Sequence, residues 1–126
     1  MTEPRGELAL RTLAMPADTN PAGDIFGGWI MSLMDIAAGM SARSFAQCRT
    51  VTKAVSNLTF LAPVKVGDTV CCYTEHLRTG RTSVTYAVET WAIRVGAPER
   101  VQVTQAEFTM VALDEDGRPT PILERA

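Results

Sequence analysis

One ionisable side chain of this 126-residue chain stands apart by its surroundings. In the stretch from Gly23 to Phe45, GDIFGGWIMSLMDIAAGMSARSF, the only charged residue between Asp24 and Arg43 is Asp35. A carboxylate in apolar surroundings costs free energy unless it is partnered or used. It can act as a general base or a nucleophile, or it can accept a hydrogen bond from a nearby hydroxyl or amide as a structural device. The residue type alone admits both readings equally. Gly27 and Gly28 tilt the balance. At a helix start they would present bare backbone N–H groups where partial positive charge gathers. Such donors two turns from an acid suit an oxyanion hole facing a base.

The element that must position these groups is a helix. Ile30, Leu33, Met34, Ala37 and Ser41 recur at helical spacing, which predicts about five turns over Gly23–Phe45. A surface helix carries charges along its solvent side. This one has almost none, so it is expected to be wrapped on all sides. Gly28, Asp35, Gly39 and Ala42 fall on one narrow stripe, which lets a backbone or a ligand approach closely. Asp24 fits the N-cap or the position just before it, a capping role rather than a chemical one. The preceding MPADTNPAG, Met15 to Gly23, is dense in turn-forming residues. Its Asn20, read alone, makes an Asx-turn before Pro21.

The remaining chain reads as strands. Glu7–Ala14 is the first, ahead of the helix. Val51–Leu61, Thr69–Leu77, Ser83–Val95 and Arg100–Leu113 follow it, with turns at Gly67, Gly80, Gly96 and Gly117. Consecutive strands are expected to pair antiparallel. On the fourth strand Val84, Tyr86, Val88 and Thr90 share one face, and Thr85, Ala87, Glu89, Trp91 and Ile93 the other. A single apolar helix among strands is buried only if a curved sheet folds around it. The fold class is therefore α+β, the hotdog fold, with about five antiparallel strands around one long central helix. Residues 1–126 suffice for one domain. The tail after Pro121 is expected to be loosely ordered.

Composition removes several function classes. A net charge of −2 without a basic tract disfavours nucleic-acid binding. No apolar run approaches the ~20 residues of a membrane span. MTEPRGELALRT lacks the apolar core of a signal peptide, so a cytoplasmic location is expected. Cys48, Cys71 and Cys72 make no disulfide framework; the adjacent pair should point to opposite faces, and reduced thiols are expected. With no C-x-x-C pair and one histidine, His76, a metal site is not expected.

Two segments carry a family resemblance. LRTLAMPADTNPAGDIFGGWIMSLMD, Leu10 to Asp35, resembles the YciA-type bacterial acyl-CoA thioesterases, and so does FLAPVKVGDTVCCYTEHLRTGRTSV, Phe60 to Val84. The similarity runs from about Leu8 to Asp116. The first motif is highly specific, and the GRTS turn supports it. The resemblance implies hydrolysis of acyl-CoA to a free acid and coenzyme A, without a cofactor. It implies a homodimer, often extended to a trimer of dimers, with active sites between protomers. The family's essential carboxylate maps to Asp35, acting as general base or by direct attack to form an anhydride. Its loop asparagine maps to Asn20, holding the water or the sulfur side, with loop and carboxylate drawn from opposite subunits. Gly27 and Gly28 N–H groups would polarise the thioester carbonyl. Many relatives carry histidine before the paired glycines, whereas Phe26 stands here, so the backbone must do more. Arg81, Thr82 and Ser83 of the GRTS turn, with Arg78, Lys53 and Lys65, are candidates to meet the coenzyme A phosphates. Solvated arginines and ordinary strand-entry residues are the plain alternative. Thr52 or Lys53 falls about where some relatives place a water-orienting hydroxyl.

Two rivals differ in class. A hotdog module that senses acyl-CoA without turnover should lack the acid, and Asp35 argues against it. A hotdog dehydratase uses an Asp–His pair, but no histidine lies on or before the helix.

Overall fold

Gly27–Ala46 forms the helix, α1, in the computed structural model, which describes residues 3–122. It begins four residues later than its composition suggests. Gly23 has a positive φ of 90°, and Phe26, extended at φ −61° and ψ 127°, is the N-cap. No side chain caps α1. Asp24 therefore is not the N-cap: it lies two residues before it and pairs with Lys65. At the far end Gln47 turns left-handed (φ 57°) and its N–H closes on the Arg43 carbonyl, ending the helix.

Five strands surround it: β1 (Glu7–Leu13), β2 (Arg49–Phe60), β3 (Thr69–Thr79), β4 (Ser83–Ile93) and β5 (Val101–Leu113). They form one sheet in the order β1-β3-β4-β5-β2, each neighbouring pair antiparallel. Sequential pairing holds for β3, β4 and β5 but not for β2. β1 and β4 already occupy the two sides of β3, so β2 takes the open side of β5 and becomes an edge.

The core lies between α1 and the concave side of the sheet. Ile30, Leu33, Met34, Ala37, Ala38 and Ala42 pack there against residues such as Val70, Val88, Phe108 and Met110. Val84, Tyr86 and Val88 of β4 join this cluster as their alternation requires. Thr85, Ala87, Glu89 and Trp91, on the opposite face, are buried as well, with the Trp91 indole N–H donating to Glu89. Cys72 lies in the core beside Thr90 while the adjacent Cys71 points away from it, and all three cysteines are free.

The expectation that α1 is wrapped on all sides is corrected. The sheet curls around one side only, leaving Met31, Ile36, Met40 and Phe45 exposed. β2 continues this open apolar surface with Val55 and Phe60. Among the described residues no helix is long and apolar enough to cross a membrane, and no cluster of metal-ligating side chains occurs.

Candidate active site

Asp35 lies on the open side of α1, so its expected burial is corrected: it is exposed in the single chain. Thr52 of β2 donates its hydroxyl to Asp35 Oδ1. Register explains the contact. Thr52 opposes Met110 of β5, which in turn opposes Val84 of β4. Met110 and Val84 belong to the helix-facing core, so Thr52, in the same row, faces the helix too. Asp35 Oδ2 has no protein partner among the described residues.

The start of α1 offers donors. Trp29 and Ile30 N–H groups close onto the Phe26 carbonyl. The N–H groups of Gly27 and Gly28 have no acceptor among the described residues, as expected for the first positions of an uncapped helix. Both glycines make room for close neighbours. A Cβ on Gly28 would fall 2.6 Å from the Phe26 ring, and one on Gly27 would touch Phe60 at 3.4 Å. Gly28 and Asp35 are seven residues apart on one helix, about 10 Å along its axis. One chain therefore does not bring these donors and this acid onto a single reacting carbonyl.

Asn20 makes the Asx-turn that its position before Pro21 suggests. Its Oδ1 accepts the N–H groups of Ala22 and Asp24, at 2.9 and 3.1 Å. Its own N–H bonds to the Asp24 carbonyl at 2.7 Å, and Phe26 N–H reaches Asp18 O at 2.7 Å, so the loop is pinned to the helix entry. The side-chain amide NH2 has no acceptor among the described residues.

The cationic candidates lie apart from Asp35. Arg78 pairs with Glu107 at 3.6 Å across the sheet. Thr82 and Ser83 show backbone roles: Ala112 N–H donates to the Thr82 carbonyl and Gly80 N–H to that of Ser83. Arg81 and Lys53 are exposed and make no ion pair among the described residues. Their side chains do not join the Asp35–Thr52 contact. Two other cations, Arg43 and Arg49, line an open groove of about 900 Å³ between the C-terminal part of α1 and the start of β2. Thr50, two residues from Thr52 along β2, also lines it. Helical and strand periodicity could have placed Arg43, two turns beyond Asp35, on the same flank.

The other reactive groups are accounted for structurally. Burial pushes the Cys72 thiol up to about 11 and raises Cys71 as well, so neither is a ready thiolate. His76 is exposed, bonds to Thr79 at 2.7 Å and stacks against Phe45 and Tyr86.

The family profile described as Thioesterase superfamily matches residues 22–99, which include α1 with Asp35 and the whole of β2, β3 and β4. The chain belongs to the thioesterase superfamily. Within it, the chain is of the YciA type. It is 51% identical over 122 residues to the acyl-CoA thioester hydrolase YciA of Salmonella typhimurium, covering 94% of this chain and 92% of the relative. A hexameric thioesterase from Yersinia pestis superposes with a TM-score of 0.93 at 51% identity, covering 98% of this chain and all of that one. A hexameric hotdog-fold thioesterase of Campylobacter jejuni does so with a TM-score of 0.88 at 41% identity, covering 94% and 91%. The hotdog architecture expected of this thioesterase is thus the one it has.

Proposed function

We propose that this thioesterase hydrolyses acyl-CoA to a free carboxylic acid and coenzyme A, at sites built from two copies of the chain. The supporting observation is the Asp35–Thr52 contact on the open, apolar side of α1, with free Gly27 and Gly28 N–H groups two turns away. If a second copy packs against this side with its helix antiparallel, Gly28 of one protomer comes opposite Asp35 of its partner. A homodimer then holds two equivalent sites, and a trimer of dimers six.

In this reading the thioester oxygen lies at the Gly27 and Gly28 N–H groups, where negative charge developing on it is stabilised. Thr52 holds one Asp35 oxygen, and the other is free to take a proton from water or to attack the thioester carbon. A single turnover in isotopically labelled water separates the two: label entering the Asp35 carboxylate marks an anhydride. The loop amide of Asn20 holds the water or the sulfur side. Arg81, Arg78 and Lys53, with Thr82 and Ser83, bind the coenzyme A phosphates from the surface of the assembled enzyme.

Mixing tests the shared site. Asp35→Asn and Asn20→Ala chains, each poorly active alone, are unfolded and refolded together. Thiol release from a short acyl-CoA is then followed with a thiol-reactive dye. Mixed dimers should regain activity, because one of their two sites is wild type at both positions. No recovery in mixtures shown to contain hetero-dimers would overturn the two-chain site.

A further inference from the structure

Phe60, the last residue of β2, has no part in the reading above. It opposes Thr104 of β5, which opposes Thr90 of β4, the residue bonded to core Cys72. Its ring thus lies on the helix-facing side of the sheet. There it reaches α1: the ring carbons Cζ and Cε1 are 3.4 and 3.6 Å from where a Gly27 Cβ would stand. Phe60 is nonetheless 48% exposed, so much of the ring is uncovered. Between ring and helix start runs a groove of about 320 Å³, lined by Ile25, Gly27, Ile30, Phe60, Leu61 and Val64 among others, with no charged side chain.

The groove has fixed and adjustable walls. Ile25, Ile30 and Val64 are buried, and Ile25 N–H bonds to the Val64 carbonyl at 3.0 Å, joining the helix entry to the segment after β2. That segment is anchored in turn by Arg94, which donates to the Pro63 carbonyl and to both oxygens of buried Asp68. Phe60 and Leu61 are the half-exposed large apolar members, and Phe60 is the larger and the nearer to Gly27.

We propose that Phe60 is a specificity-determining residue, the wall against which the first carbons of the acyl group pack. The inference rests on the reading that the thioester oxygen binds at Gly27 and Gly28. A carbonyl held there has its acyl carbon beside the Phe60 ring, and an uncharged groove suits a hydrocarbon rather than the polar pantetheine arm. The close ring favours unbranched carbons next to the carbonyl. Branched or aromatic acyl groups need the space that the ring fills.

The experiment measures kcat/KM of wild type, Phe60→Leu, Phe60→Ala and Phe60→Trp on butyryl-, isobutyryl- and benzoyl-CoA. The ratio of branched or aromatic to straight-chain turnover should rise about tenfold in Phe60→Ala, rise less in Phe60→Leu and fall in Phe60→Trp, the scale of discrimination by a methylene-sized contact. An equal change on all three substrates in every variant would overturn the role of Phe60, leaving the ring as a cover for the helix start. Phe60→Leu keeps an apolar residue at the same register, so it reports even if Phe60→Ala misfolds. Failure of the proposed acyl-CoA hydrolysis itself looks different: wild type would release no thiol from any of the three substrates.

Discussion

Asp68 and Asp35 are both aspartates beside a single strong partner, and the fold treats them in opposite ways. Asp68, just before β3, is 2% exposed and accepts from Arg94 Nε at 3.0 Å, from Arg94 Nη2 at 2.8 Å and from the Lys65 N–H at 2.9 Å. Burial alone would raise its carboxyl. The Arg94 hydrogen bonds, the Lys65 N–H and the charges of Arg94 and Lys65 outweigh burial and hold it below the ordinary value. Every oxygen is committed. Asp35 has one hydroxyl donor, one open oxygen and no cation within ion-pairing distance among the described residues. A carboxylate saturated with donors fastens two segments of chain together. One left half-satisfied on an apolar surface is available for proton transfer once that surface is covered.

The comparison breaks most directly at Asp35. Asp35→Asn should lower kcat by about a hundredfold or more, the scale of losing general-base catalysis, with little change in KM. Its melting temperature should stay close to that of wild type, because Asp35 is exposed, makes no ion pair among the described residues, and asparagine keeps an Oδ1 that can accept from Thr52. Near-normal turnover on the acyl-CoA panel would remove Asp35 from the chemistry.

Arg94→Ala should do the reverse. It strands the Asp68 carboxylate in a buried corner and frees the Pro63 carbonyl, which costs about 2–3 kcal/mol of stability. Denaturant unfolding would show this as an earlier midpoint, while kcat of the folded enzyme stays within a few-fold. A large kcat loss without a stability loss would mean that the two aspartates do not divide their roles this way.

The acid limb of the stability curve sharpens the same contrast. Because the Asp68 carboxyl is held low in the folded state, its stabilising contribution is complete above the unfolded carboxylate value of about 3.9. It is lost as pH falls from there through the lower folded value. Melting temperatures taken from neutral pH into this range should fall more steeply for wild type than for Asp68→Asn. Parallel curves would assign the acid sensitivity elsewhere.

Much of this was legible in the sequence, and what was not has a physical cause. Five strands and one long helix follow from period and turn residues, and the helix-facing set of β4 follows from alternation. The charge census also found Asp35 and read its environment as buried. Apolar composition alone does not tell whether the chain's own sheet covers a helix face, and here the sheet leaves this side of α1 open. Short-range rules place β2 beside β3, its neighbour in sequence, while the free side of β5 that it takes is a property of the whole sheet. Asp24 has the chemistry of a cap, yet it lies two residues before the N-cap and pairs with Lys65, 41 residues away. Thr52 and Lys53 are equal candidates in the sequence, because nothing local shows which strand faces which turn of the helix. It takes the completed row Thr52–Met110–Val84 to aim its hydroxyl at Asp35.

Thr52 is where the smallest effect is expected, and it is informative for that reason. It is exposed on an edge strand, so Thr52→Val, which keeps the shape and removes the hydroxyl, should leave the melting temperature within a degree or two. What it removes is the one donor that fixes Asp35 Oδ1 and therefore the direction of the free oxygen. Loss of one such hydrogen bond corresponds to about a three- to tenfold fall in kcat. KM should hold steady, since the groups proposed to bind the thioester oxygen and coenzyme A are untouched. Thr52→Ser restores the hydroxyl with a smaller side chain and should recover most of the lost rate. A positioning role requires both results. If the serine variant falls while the valine variant holds, the methyl group rather than the hydroxyl matters, and Thr52 is a packing residue. If neither falls, the Thr52 hydroxyl does not position Asp35, and the contrast with Asp68 rests on the open Asp35 oxygen alone.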